Sequence, residues 1–227
     1  VKIYVVTASL GHHSDTIRIP KLSVSRKTKA RFIAYVSPGH PPISGPWERR
    51  EIKGTDPVHL TRMVKIMCHE GGPEKAAEYW IWMDASFKLR MMPEDMIRKY
   101  LQPKAMDLAR FKHPCHSSII QEAQALKECG KVREADWPLL DHQVADYLAQ
   151  GFDQKEQSCG GFLIRRNCPK IREMNRIWFE EFNKYRHGRD QMSFDYSIWK
   201  AGVRARWLPG LYYKFPGATF FSDRSSK

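Results

Sequence analysis

Asp84 closes the run EYWIWMDASFKL, residues 78–89, in which large apolar and aromatic side chains lead straight into one acid followed by two small residues. An unpaired carboxylate inside a core is costly, so an acid here belongs at the carboxyl end of a strand, where a cation or a polar partner can reach it. In α/β folds that edge is also where ligands bind. Within DAS only Asp84 is an acid. Ser86 is at best a weaker or water-mediated ligand, and a simple capped strand end is the competing reading.

A second cluster, GRDQMSFDY, crowds Arg189, Asp190 and Gln191 at the start of a predicted helix behind Gly188, which permits a tight turn. Asp190 there can take a proton from a ligand or accept its hydrogen bonds, and simple N-capping competes with both roles.

These residues need elements to hold them. KIYVVTA (2–8) and RFIAYV (31–36) read as strands, with GHHSD in the loop between, and the Pro- and Gly-rich SPGHPPISGPW (37–47) reads as loop. PVHLTRMVKIMC (57–68) places a proline after Asp56, a good N-cap pair, and sets Leu60, Val64, Met67 and Cys68 at helical spacing. The Asp84 strand follows, then a helix over 92–101 and a strand over 107–114 closed by proline. Helical periodicity returns over 118–130 and 137–151. CGGFLIRRN (159–167) feeds two glycines into an apolar strand. The segment 168–188 is a long amphipathic helix with Ile171, Met174, Ile177, Trp178 and Phe182 inward, 190–202 is another helix, and an aromatic tail closes the chain. This alternation predicts an α/β fold with a mostly parallel central sheet flanked by helices.

At 227 residues and 42% apolar content the chain can bury one large core. A single domain over 1–227 is expected, with 222–227 frayed. No window approaches the roughly 18 consecutive apolar residues of a membrane span, and the start lacks the features of a signal peptide, so a cytoplasmic protein is expected. Five scattered cysteines without a CxxC pair argue against both a disulfide framework and a zinc knuckle. GxGxxG and GxxxxGK[ST] are absent, which removes dinucleotide and P-loop chemistry. The net charge of +13 and pI near 9.6 predict attraction to anionic partners.

The strand ending in WMDAS resembles the DxD element of GT-A glycosyltransferases. With its flanks, RMVKIMCHEGGPEKAAEYWIWMDASFKL, ARFKHPCHSSIIQEA and GGFLIRRNCPKIREMNRIWFEEFNKYRHGRDQMSFDYSIWKAG are similar, in order and spacing, to successive blocks of the TOD/MUCI type of glycosyltransferase-like proteins. The resemblance implies a Rossmann-like GT-A domain that moves a sugar from a nucleotide-sugar donor such as a UDP-sugar. It implies a divalent cation, Mn2+ or Mg2+, at Asp84, since hard cations prefer oxygen ligands and neutralise a departing diphosphate, and a diphosphate held by Arg62 and Lys65, with arginine clamping two oxygens and lysine acting as a point charge. The opening YVVTASLGHHSD resembles the family's first strand and loop, which adds Thr7 and Asp15 to the donor end. His113 and Glu122, in the HP and EA positions, are implied on the acceptor side. Arg189, Asp190 and Gln191 are implied to handle sugar and acceptor, with Asp190 the candidate base if the reaction inverts.

Two departures stand out. DAS replaces DGN, and Gly160 or Gly161 stands where the family has an acid, which opens room beside the sheet. The acceptor expected from the charge is a polyanion, either nucleic acid such as DNA with hydroxymethylated bases or an acidic polysaccharide. The rival class is a non-catalytic basic GT-A-like domain that binds such polymers without turnover, as the single acid of DAS would suit.

Overall fold

The computed structural model describes residues 1–11, 28–43, 45–210 and 218–220. The chain runs β1 (Ile3–Ser9), β2 (Arg31–Val36), β3 (Trp47–Glu51), α1 (Pro57–Ile66), β4 (Tyr79–Met83), β5 (Phe87–Leu89), α2 (Pro93–Tyr100) and β6 (Leu108–Lys112). It continues through α3 (Ile119–Glu128), α4 (Trp137–Ala149), β7 (Ser158–Arg166), α5 (Pro169–Tyr185), α6 (Gln191–Lys200), β8 (Ala205–Trp207) and β9 (Ala218–Phe220). One seven-stranded sheet has the order β3-β2-β1-β4-β7-β6-β8. Its pairs are parallel except the two made by β7, which runs antiparallel to β4 and β6. The expected Rossmann-like α/β fold with a mostly parallel sheet is therefore present.

Strand side chains alternate between faces, and the two faces carry different layers. Ile81 and Met83 face α2 with Ile3, Val5, Met96 and Ile97. Trp80 and Trp82 face the other way, into a core with Val64 and Ile66 of α1, Ile171, Met174 and Trp178 of α5, and Phe194 and Ile198 of α6. Burying side chains of this size stabilises the fold by about 1.5–3 kcal/mol each. A third cluster joins α3 and α4 to the outer sides of α5 and α6 through Leu126, Leu140, Tyr147, Tyr185 and Tyr196. Ile177, expected on the inner face of α5, packs partly buried against this outer cluster.

Two elements depart from the sequence reading. The run 78–89 is broken at Asp84: β4 ends at Met83, the Phe87 amide donates to the Asp84 carbonyl across a turn at 2.9 Å, and β5 joins β9 in a separate two-stranded sheet. Strand β3 begins at Trp47, the last residue of the expected loop. Its sequence WERRE carries no apolar alternation because it lies at the sheet edge, where charged side chains face water and discourage pairing with other chains.

The placement of α1 rests on both of its ends. The Asp56 side chain accepts the His59 amide at 2.9 Å and Pro57 occupies the first turn, as the sequence predicts. At the other end Arg165, 1% exposed on β7, donates to the carbonyl of Lys65 at 2.7 Å and, more weakly, to that of Ile66 at 3.4 Å. Its guanidinium also donates to Asn175 Oδ1 of α5 at 3.0 Å. This buried cation, with no carboxylate partner among the described residues, is thus held by the negative end of a helix, whose last carbonyls lack intrahelical donors. This cap fixes the turn of α1 that carries Arg62 and Lys65.

Candidate functional site

Asp84 is the first residue beyond β4. With the strand's period of two it follows Trp80 and Trp82 onto the face covered by α1, α5 and α6. Its amide donates to the Gly161 carbonyl at 2.8 Å, and the Trp82 indole N–H donates to its Oδ1 at 2.9 Å. Its Oδ2 lies against Gly161: a Cβ on that glycine would stand 3.0 Å from this oxygen. Burial raises the Asp84 pKa above the usual carboxylate range, and the charges of Lys65 and Arg62 oppose that shift.

Those two cations converge on Asp190. Lys65 Nζ donates to Asp190 Oδ2 at 2.8 Å, and Arg62 Nε lies 2.7 Å from Asp190 Oδ1. The arginine contact is poorly aligned for a hydrogen bond, since Arg62 Nε has no hydrogen-bond acceptor by angle, and is better described as an ion pair. Lys65 and Asp190 side chains are 5% and 6% exposed and Arg62 21%, so Arg62 alone retains substantial contact with water. Burial by itself would raise the Asp190 pKa, yet Arg62 and Lys65 hold it far below the usual range, with Arg189 adding to the effect. Lys65 Nζ also lies 5.3 Å from the centre of the Trp178 ring, whose N–H donates to the Asp190 carbonyl at 2.7 Å.

N-capping, the competing account of Asp190, fails: it precedes α6, but its side chain makes no cap hydrogen bond. Lys65, for its part, is buried and not part of a solvated basic face. Gln191 is spent on β7, accepting from the Gly160 amide at 3.1 Å and donating to the Ser158 carbonyl. The two glycines of β7 explain themselves here. A Cβ on Gly160 would come within 2.9 Å of Lys65 Nζ and 3.3 Å of Gln191 Oε1, so the room they open is occupied by Lys65, Gln191 and the Asp84 carboxylate.

The other expected residues lie further out. Ser86 sits in the turn after Asp84. Thr7 is fully buried in β1, one step beyond the Val6–Trp82 pairing and so near the level of Met83, and its Oγ1 has no hydrogen-bond partner among the described residues. Asp15 lies outside the described residues. Arg189 is half-buried, and its Nε has no hydrogen-bond partner. His113 and Glu122 meet at the end of β6 around a histidine the sequence reading did not single out, His116, whose Nδ1 is 2.7 Å from Glu122 Oε2. Its position three residues after His113 was the available signal.

A cavity of about 340 Å³ opens elsewhere, between α1 and strands β1 and β2, lined by Val6, Tyr35, Met63, Cys68, Glu74 and Phe179 among others. It shares no lining residue with the Asp84 cluster, and its apolar walls offer no group suited to a diphosphate.

What the cluster can do follows from its charges. Arg62 and Lys65 lie beside Asp84 and Asp190, so with both acids ionised these four charges cancel. A polyanionic ligand placed there would need a further cation to bind well. Asp84 fits such an ion, because it is a hard oxygen donor with one oxygen not engaged by Trp82, and Mg2+-like ions draw the rest of their shell from water and ligand phosphates.

Residues 50–215 match the model of the TOD1/MUCI70, glycosyltransferase-like domain. Over 172 residues the chain is 24% identical to the probable hexosyltransferase MUCI70 of Arabidopsis thaliana, an alignment covering 72% of this chain and 29% of that protein. The chain thus spans well under half the length of the curated relative it matches. No helix among the described residues is long and apolar enough to cross a membrane.

Proposed function

Because the chain belongs to the TOD1/MUCI70 glycosyltransferase-like family, we propose that it is a GT-A-type enzyme moving a hexose-like sugar from a nucleoside-diphosphate donor to a hydroxyl group. The observation that carries this reading is the convergence, on one face at the end of β4, of Asp84 with the Arg62–Lys65–Asp190 ion cluster. A divalent cation held at Asp84 would neutralise diphosphate charge as the leaving group departs. Arg62, the most exposed of the cluster, can turn one face of its guanidinium to phosphate oxygens while Asp190 keeps its other side oriented. Lys65 contributes a fixed positive charge beneath the site. Asp190, held ionised by two cations, is a weak proton acceptor, and we assign it to positioning Arg62 and Lys65 rather than to the base role its sequence context offers. Gln191 keeps the β7 edge in place under the donor.

The test is a calorimetric titration with UDP and with GDP, each with and without manganese. Saturable binding of one nucleotide, strengthened by manganese, is the expected result. Absence of binding under all four conditions would reduce Asp84 to a strand cap and bring forward the rival reading, a basic binding domain without turnover.

The acceptor we propose is a polyanion, on the strength of the +13 charge. Hydroxymethylated DNA is the version to try first, since its base supplies the hydroxyl and its phosphates the affinity, and an acidic polysaccharide is the other. Binding to hydroxymethylated duplex should weaken steeply between about 50 and 200 mM salt. Equal affinity for unmodified duplex, with no sugar transferred, would rule DNA out as the acceptor.

A further inference from the structure

We propose that His113, His116 and Glu122 form a second cation site, of the zinc class, separate from Asp84 and independent of the glycosyl-transfer reading. One donor atom from each residue lies within 4.8 Å of the others. The two imidazoles aim at the same carboxylate oxygen: His116 Nδ1 is 2.7 Å and His113 Nε2 3.9 Å from Glu122 Oε2. The rings stack with centroids 4.5 Å apart, so both nitrogens present from the same side. Glu122 projects from the first turn of α3, which the Ser118 side chain caps, and His113 is tied through its amide, which donates at 2.6 Å to the carbonyl of Gln157, the residue before β7.

Charge makes the site receptive. Glu122 is 4% exposed, and among the described residues no lysine or arginine lies within 4.0 Å of it. A dication would supply the positive charge that this buried carboxylate lacks from any permanently charged side chain among the described residues.

Ligand chemistry selects the ion. Two imidazoles and one carboxylate favour zinc, cobalt or nickel over the magnesium and manganese that suit an oxygen-only site, and three protein ligands leave a coordination position open. Binding has a local cost. His113 Nδ1 now accepts the amide of His116 at 3.0 Å and that of Cys115, weakly, at 3.4 Å, which places the ring proton on Nε2. An ion at Nε2 moves that proton to Nδ1 and opens those contacts, so the 113–116 loop must shift as the metal enters. The site borders the Asp84 cluster. The Cys159 thiol, pushed up mainly by burial, is raised further by the carboxylates of both Asp84 and Glu122.

Untagged, metal-free protein titrated with Zn2+ alone, and with Co2+ as an optical probe, tests this. The expected result is one equivalent bound with cobalt bands of a nitrogen-ligated ion, together with movement of the Cys115 and His116 amide signals in NMR. His116→Gln should weaken zinc binding at least tenfold, and Asp84→Asn should leave it unchanged. Glu122→Gln should do as His116→Gln does; because Glu122 is buried, the partly exposed His116 carries the decision if that variant misfolds. No stoichiometric zinc, zinc binding indifferent to His116→Gln, or zinc binding lost in Asp84→Asn would each overturn the proposal.

Discussion

Asp190→Asn is expected to lower the unfolding free energy by about 3–5 kcal/mol, the cost of leaving buried charge without its partner. The asparagine is nearly isosteric, so the effect isolates charge from packing. Arg62 can swing toward water, being 21% exposed, but Lys65 is 5% exposed and lies among the Trp178 ring and the glycines of β7. Lys65 must then stay buried unpaired, lose its proton, or drag α1 outward against the cap that Arg165 places on its last turn. Adding Lys65→Met to Asp190→Asn should recover a substantial part of the loss, because the double variant buries neither charge. Urea denaturation of the four proteins measures the coupling directly. A loss below about 1 kcal/mol for Asp190→Asn would mean that water screens the pair and that the cluster is looser than its burial implies. The pH dependence has a definite sign. The folded pKa of Asp190 lies below its unfolded value of roughly 3.9, so its contribution is complete above that value. It is lost as pH falls toward the depressed folded value.

The sequence made the scaffold legible where periodicity was strong. α1 with its Asp56 and Pro57 start, α5 with its inward Ile171, Met174 and Trp178, and the apolar strands β1, β2 and β4 could all be read because burial on one or both faces dictates their residue types. Strand β3 could not, because an edge strand spelled WERRE shows no apolar alternation: Trp47 packs on Phe32 of β2 and Glu48 pairs with Arg31, while the charged residues after Trp47 leave no period to read. The grouping of the candidate site was legible through spacing and resemblance: Arg62, Lys65, Asp84 and Asp190 were all singled out, and the structure joins Arg62 and Lys65 to Asp190 and sets Asp84 within reach of their charges. Their roles were not, because a role depends on which atoms face each other across long stretches of chain. Asp190 looked free to act on a ligand until Arg62 and Lys65, 128 and 125 residues away, took both its oxygens. Gln191 likewise spends its amide on β7. Arg165, read as part of an apolar strand, proved to be a buried cap whose need for carbonyls no local pattern announces.

Asp84→Asn should behave in the opposite way to Asp190→Asn, leaving the fold intact and removing function. An acid whose folded pKa is raised by burial reduces stability once ionised, above its unfolded pKa, so an amide at this position should leave the denaturation midpoint unchanged or slightly higher. The Trp82 N–H retains an oxygen acceptor in asparagine, which preserves the turn. What disappears is the negative charge that a cation needs. On the proposed function, the enhancement of nucleotide binding by manganese should vanish, and sugar transfer should fall by about 10²-fold or more, the equivalent of several kcal/mol of charge stabilisation at the leaving diphosphate. The raised pKa adds a second signature. Manganese-enhanced binding in the native protein should fail as pH drops through a value above the ordinary carboxylate range, and the same titration of Asp84→Asn should be flat. Calorimetry across pH, paired with urea midpoints, reads both quantities on the same samples. Retained manganese enhancement in a well-folded Asp84→Asn would refute the assignment of the cation to Asp84. A fall in stability matching that of Asp190→Asn would instead make Asp84 part of the ion cluster's structural core. The pair of acids would thus separate what the cluster does for the fold from what it does for a ligand: Asp190 stabilises the arrangement, and Asp84 is ionised at a cost to stability that Lys65 and Arg62 offset in part and that, on the proposed function, a bound cation would offset further.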